Sequence, residues 1–183
     1  MALSCKLSQN ILRTSNCGYS LPEIVDIYLA NYADVTATGL SAETCGESVT
    51  SITMATDAET SAETKFYHIE PAKGSASFED ALVVEDNGNK YRTHTLTFNV
   101  TGSYTSCMHQ NLDDLSLGKY VAVVKTAEGT YLMLGRITGL EAETATLSGG
   151  GDTNGLQIVL SANVTESAIP VTGEAINKVT GQP

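Results

Sequence analysis

The sequence predicts a mainly β protein: an antiparallel β-sandwich or barrel with one short α-helix and extended terminal arms. Three observations carry this. Most of the chain divides into short segments rich in Thr, Val, Ile and Tyr, separated by turn residues. Only one segment carries the 3.6-residue apolar period of a helix. The connections are too short for βαβ crossovers. The 183 residues fit one domain, with an N-terminal arm at 1–20, a β domain at 21–165 and a C-terminal arm at 166–183.

After the first arm, "PEIVDIYLANYADV" reads as a strand. Val25, Ile27, Leu29 and Asn31 share one face, and Ile24, Asp26, Tyr28, Ala30 and Tyr32 share the other. Residues 36–63 read as loop, except for a strand in "SVTSITMA". "TKFYHIEPA" is a further strand, stopped by Pro71. Asp86-Asn87-Gly88-Asn89 is a turn signal, because Asn and Gly tolerate positive φ. It joins "DALVVE" to "KYRTHTLTFNV" in a hairpin, with Leu96, Phe98 and Val100 on one face and a ladder of Thr93, Thr95 and Thr97 on the other.

The helix is "SYTSCMHQNLDDLSLGK". Met108, Leu112 and Leu115 recur at i, i+4 and i+7; Ser103, Thr105 or Ser106 can cap its start, and Gly118 stands at its end. A hairpin follows, turning at Ala127-Glu128-Gly129. Tyr120–Val124 and Tyr131–Leu134 are apolar at every position, so both faces need cover. "EAETATL" is a strand and "SGGGDTNG" a loop. "LQIVLSANV" alternates, with Leu156, Ile158, Leu160, Ala162 and Val164 inward. In the tail, Ile169, Val171 and Ile176 are exposed unless docked.

Sites of known chemistry are not apparent. There is no GxSxG, HExxH, CxxC or nucleotide fingerprint, and the glycine loop precedes a strand rather than a helix. His68, His94 and His109 are scattered; His68 and Glu70 share a strand face, and His94 lies on an apolar face, so each reads as a half-buried, satisfied histidine. Asp113 and Asp114 are adjacent and point apart. Glu79, Asp80, Glu85 and Asp86 flank a hairpin without EF-hand spacing. Cys5, Cys17, Cys45 and Cys107 read as free structural thiols. The expectation is a non-enzyme with no cofactor and no metal. Without the basic start and apolar run of a signal peptide, the sequons at Asn99 and Asn163 carry no weight.

The net charge of −11 argues against a surface that grips nucleic acid. No Lys or Arg occurs from Thr14 to Thr64, where Glu23, Asp26, Asp34, Glu43, Glu47, Asp57, Glu59 and Glu63 all fall. Such a run is either a solvated surface that aids solubility or a lining that repels something negative.

The doubly apolar hairpin, the apolar arms and the long small-residue loops share one explanation in self-association, with neighbouring copies covering faces and receiving arms. The residues expected between subunits are Phe78, Leu82, Val83, Val84, Tyr120, Val121, Val123, Tyr131, Leu132 and Met133. The segment Lys73–Asn89 is expected to dock on a neighbour.

From Phe66 to Pro170 the chain resembles the tail tube or ring proteins of tailed bacteriophages and related prophages. The resemblance rests on "KGSASFEDALVVEDNGNKYRTHTLTFNV", on the helix ending "LDDLSLGKYVAVV" and on "YLMLGRITGLEA", with "NCGYSLPEIVDIYLANYADVTA" similar to their first strand. It covers a little over half the chain and carries no catalytic signature. It implies a virion protein, made in the host cytoplasm and located in the tail or neck. Copies join into a ring, often sixfold, that stacks into a channel and contacts other tail or neck proteins. Phage DNA passes without specific binding, and no membrane is involved. A long-tail tube and a collar ring of a short-tailed, crAss-like phage both fit. In such a ring Asp26, Asp34, Glu43, Glu47, Asp57, Glu59 and Glu63 are expected to face the lumen and hold the duplex off the wall. The alternative is an immunoglobulin-like or lectin-like binding module for a host-surface glycan, although the chain has no Trp and its Tyr residues are dispersed.

Overall fold

The computed structural model describes residues 23–43, 46–101, 106–150 and 155–181. The fold is mainly β, as expected, but built on one open, mixed sheet of eleven strands rather than a closed barrel. The strands are β1 (Ile24–Asn31), β2 (Val35–Glu43), β3 (Gly46–Met54), β4 (Tyr67–Ile69), β5 (Ser77–Val84), β6 (Lys90–Val100), β7 (Lys119–Thr126), β8 (Tyr131–Leu134), β9 (Leu140–Ser148), β10 (Gly155–Val164) and β11 (Ile169–Val171). The described residues hold two α-helices, where one was expected: α1 (Ser106–Leu117) and α2 (Glu174–Thr180).

The sheet branches at β7. Along one edge β7 pairs with β1, which pairs in turn with β4. Along the other it pairs with β8 from Ala122 to Lys125 and with β9 at Lys119 and Tyr120. From β8 the order runs β11–β3–β2; from β9 it runs β10–β6–β5. Every pairing is antiparallel except β3 with β11, which meet in parallel at Val49 and Val171. The parallel pair exists because the chain returns from its C-terminal end to complete the β8 branch.

The two branches cover opposite faces of β1 and β7. Tyr120, Ala122 and Val124 of β7, with Ile24, Ile27 and Leu29 of β1, pack against Leu96 and Phe98 of β6 and Leu156, Ile158 and Leu160 of β10. Leu112 and Leu115 of α1 close the margin of this first core. Val121 and Val123, with Tyr28 and Ala30, pack on the other side against Val49, Ile52 and Met54 of β3, Ile169 and Val171 of β11, and Ala175 and Val179 of α2. Each buried Val, Leu or Ile contributes about 1.5–3 kcal/mol of hydrophobic stabilisation. The continuous apolar run of β7 is therefore the signature of a central strand buried on both faces within one chain.

Strand β1 departs from strict alternation for a local reason. Its pairing with β7 slips between Ile24 and Asp26, so Val25 is pushed into solvent while Ile24 joins Ile27 and Leu29 in the first core. Past α1, Gly118 fills the helix-terminating position. Its N–H bonds the carbonyl of Asp114, and a Cβ there would lie 2.0 Å from the Tyr120 hydroxyl. That hydroxyl donates to the same carbonyl, which fastens the helix end to the head of β7.

Several expectations change. Residues 36–63 hold an additional nine-residue strand, β2, paired along β3. About half of Lys73–Asn89 is strand: β5 is paired throughout with β6, and the stretches on either side of it are turn or loop. The Asp86–Asn89 turn forms as read, with Gly88 at φ 86°. The described part of 166–183 is not a free arm, because β11 and α2 are built into the second core. The arm at 1–20 and the capping residues Ser103 and Thr105 lie outside the described residues, as do Cys5, Cys17 and Cys45.

Candidate assembly surface

The residues expected at a subunit boundary separate into two groups. Tyr120, Val121, Val123 and Met133 are buried inside the single chain. Within the chain, β3, β11 and α2 cover Val121, Val123 and Met133, and β6 and β10 cover Tyr120, which removes these four from any surface. Leu132 is half-buried against the first core and Tyr131 against the second. The second group lies on β5. Phe78 leans into the first core and Val83 is half-buried, but Leu82 and Val84 are 58% and 57% exposed.

Strand β5 is also a terminal strand. Its pairing is to β6 alone, and at the other end of the sheet β2 pairs with β3 alone. Among the described residues both therefore present one edge without a strand partner, and the three-residue β4, paired to β1 alone, is a third and shorter end. Strands β5 and β2 are similar in length, eight and nine residues, or about 26–30 Å at the usual rise. Leu40 of β2 is exposed as well.

The acidic residues expected in a lumen fall into separate groups along the chain's surface. Glu43 and Glu47 lie at the hairpin end of β2 and β3; Asp34, Asp57, Glu59 and Glu63 lie near the opposite end, about 20–25 Å away by strand rise. Several are engaged. Asp34 accepts a hydrogen bond from the Asn31 amide at 2.8 Å. Asp57 accepts the backbone N–H groups of Glu59 (2.7 Å) and Thr60 (2.9 Å), which hold its carboxyl below the usual carboxylate range. Glu63 pairs with Lys178 of α2. Glu47 and Glu59 are exposed.

Asp26 is furthest from a free lining charge. Its side chain is 15% exposed; one oxygen meets His68 Nε2 at 2.8 Å and the other Lys125 Nζ at 3.0 Å. Burial raises its pKa, but the hydrogen bonds from His68 and Lys125 outweigh that and leave it below the ordinary value. The half-buried carboxylate at the slipped strand end thus finds a hydrogen-bond partner on each flanking strand, a pairing that a linear sequence does not display.

A second polar network joins the branches. Asp80 of β5 accepts from the Arg92 guanidinium and from the Ala168 backbone N–H at 3.0 Å. His94 of β6 is 1% exposed, and its Nδ1 accepts the Gly135 N–H at 3.2 Å. Arg136 makes a bidentate pair with Glu166 and donates to Thr38 at 3.1 Å. His94 is buried on an apolar face as expected, but its Nε2 has no hydrogen-bond partner.

An open groove of about 1150 Å³ lies between β4, the end of β1 and α1. Leu29, Phe98, Val100 and Leu156 contribute apolar surface to it, and Tyr67, Asn31, Glu70, Asn111 and Asp114 contribute polar groups. Among the described residues no group of three or more His, Cys, Asp or Glu is placed to hold a metal ion, and no helix is long and apolar enough to cross a membrane. Comparison with protein-family models, with curated proteins and with solved structures gave no match.

Proposed function

We propose that this chain is a virion structural protein whose copies assemble into rings, and by stacking into a tail tube or neck segment, around a channel for phage DNA. The observation that carries the reading is the pair of unpaired terminal strands. Among the described residues the branched sheet ends in three strands, β5, β2 and the short β4; the two long ones, of matched length, can pair head-to-tail from copy to copy in a rotation that closes. Leu82 and Val84 on β5 add apolar contact at that edge. The sequence resemblance to tail tube and ring proteins points the same way. The doubly apolar hairpin does not contribute, because the chain covers it.

The net charge of −11 fits a channel that neither binds nor retards a polyanion. Within this reading the bore-facing candidates are the exposed Glu47 and Glu59, not Asp26, which is held in an ion-pair cluster. Negative-stain imaging of concentrated protein, alone and with candidate neck proteins, tests the proposal through the presence of rings.

The groove favours a second reading. Tyr67 beside amides and carboxylates over an apolar floor is the chemistry of a glycan site. A glycan array with wild type and Tyr67→Ala distinguishes it: binding lost on substitution, with a strict monomer in solution, selects the binding module.

A further inference from the structure

We propose that His94 is an acid-sensitive latch on the C-terminal cap: protonation of its imidazole releases β11 and α2 from the sheet and uncovers the second apolar core. The inference is independent of whether copies assemble.

The position of His94 carries it. The cap is fastened to the sheet through β11, which pairs with β8 at Met133, Leu132 and Tyr131 and with β3 at Val49, and through the Lys178–Glu63 pair of α2. His94 touches both sides of the β8–β11 attachment. Its Nδ1 accepts the N–H of Gly135, the residue that follows β8. Its Nε2 lies 3.5 Å from Oδ1 of Asp80, whose Oδ2 holds the N–H of Ala168, the residue that leads into β11. Because Nδ1 is an acceptor, the neutral ring carries its proton on Nε2. That N–H is buried and makes no hydrogen bond of good geometry, with the Asp80 carboxylate and the Glu166 backbone as the acceptors acting on it.

A second proton must enter at Nδ1. There it faces the Gly135 N–H, and two donors oppose one another. The imidazolium also draws the Asp80 carboxylate towards Nε2 and away from Ala168. The bond at the end of β8 and the bond that holds the entry to β11 weaken together, and beneath the cap lie Val49, Val121, Val123 and Met133.

The charged groups around the ring come from every neighbouring element: Asp80 from β5, Arg92 from β6, Glu166 from the β10–β11 connection, and Arg136, paired with Glu166, from the turn after β8. Burial pushes the imidazole below its ordinary value, Asp80 and Glu166 pull it up, and Arg92 pushes it down; the net direction is down. The folded pKa therefore lies below the unfolded one. The stabilisation is complete above about pH 6.5 and is lost as the pH falls from there towards the folded pKa. In that window one proton taken up raises the released population by up to about tenfold per pH unit.

The test is methyl NMR of Val171, Val179 and Met133 in the full chain between pH 7.5 and 5, with the His94 ring followed in the same samples. The expected result is release of the cap with a midpoint that tracks His94 titration, and no pH dependence over this range in His94→Gln. A cap equally docked at both pH values overturns the proposal. So does release that follows another group, or that persists unchanged in His94→Gln. Should His94→Gln fail to fold, the coincidence of the two wild-type titrations decides alone.

Discussion

Asp26 on β1 and Lys125 on β7 meet across the sheet with Oδ2 and Nζ 3.0 Å apart, one position beyond the bulge that turns Val25 into solvent. His68 from β4 takes the other carboxylate oxygen and stacks its ring on Tyr28, centroids 5.0 Å apart. One carboxylate thus ties three strands at the irregular end of the branch point.

Asp26→Asn is expected to destabilise the fold by about 1–2 kcal/mol, a charged hydrogen-bond pair discounted for the partial exposure of Lys125 and His68. Because the Asp26 pKa is lowered on folding, its contribution is present above about pH 4 and lost as pH falls towards the folded value. Denaturant titrations at pH 3 and pH 7 should show wild type losing stability that the variant has already lost. Glu47→Lys and Glu59→Lys, both at exposed sites, should stay within about 0.5 kcal/mol of wild type.

Met133→Ala removes a side chain only 1% exposed, wedged between β7 and the cap. The expected loss is about 2–5 kcal/mol, from transfer and cavity terms together. Had Met133 stood at a subunit boundary, the same change would weaken assembly and leave monomer stability nearly intact. Urea unfolding of dilute monomer separates the two.

Removal of 166–183 should expose Val49, Val121, Val123 and Met133 at once. The truncated chain is expected to bind a hydrophobic dye and to unfold at a lower temperature than the full chain. A truncation with an unchanged melting transition would show that β11 and α2 contribute nothing to the core.

Leu82→Lys with Val84→Lys should abolish rings while leaving the monomer within about 0.5 kcal/mol of wild type, since both side chains are largely in solvent. Circular dichroism melts and size-exclusion chromatography read the two effects separately.

The sequence made some elements plain and hid others for identifiable reasons. Strands β6, β8 and β10 were legible almost to the residue, because their inward residues alternate against Thr, Ser and Asn, or run apolar between turn signals. β2 was not, because "VTATGLSAE" is small and polar, and its identity as a strand comes from pairing along β3. β11 is three residues long and α2 only seven, too short for either period to register. The run in β7 correctly reported two apolar faces, but composition does not say whether the second cover lies in the same chain. The polar clusters around Asp26 and His94 join residues far apart in sequence, so chain order carries no trace of them; a lone His between threonines in an inward-facing strand is the one local hint.

The most direct test of ring assembly through the free edges is native mass spectrometry of the wild-type chain over a wide concentration range, paired with negative-stain images of the same samples. The reading predicts a discrete closed oligomer, or stacked rings, that disappears in the Leu82→Lys, Val84→Lys variant. A monomer at every concentration and ionic strength, with and without neck proteins, would contradict it.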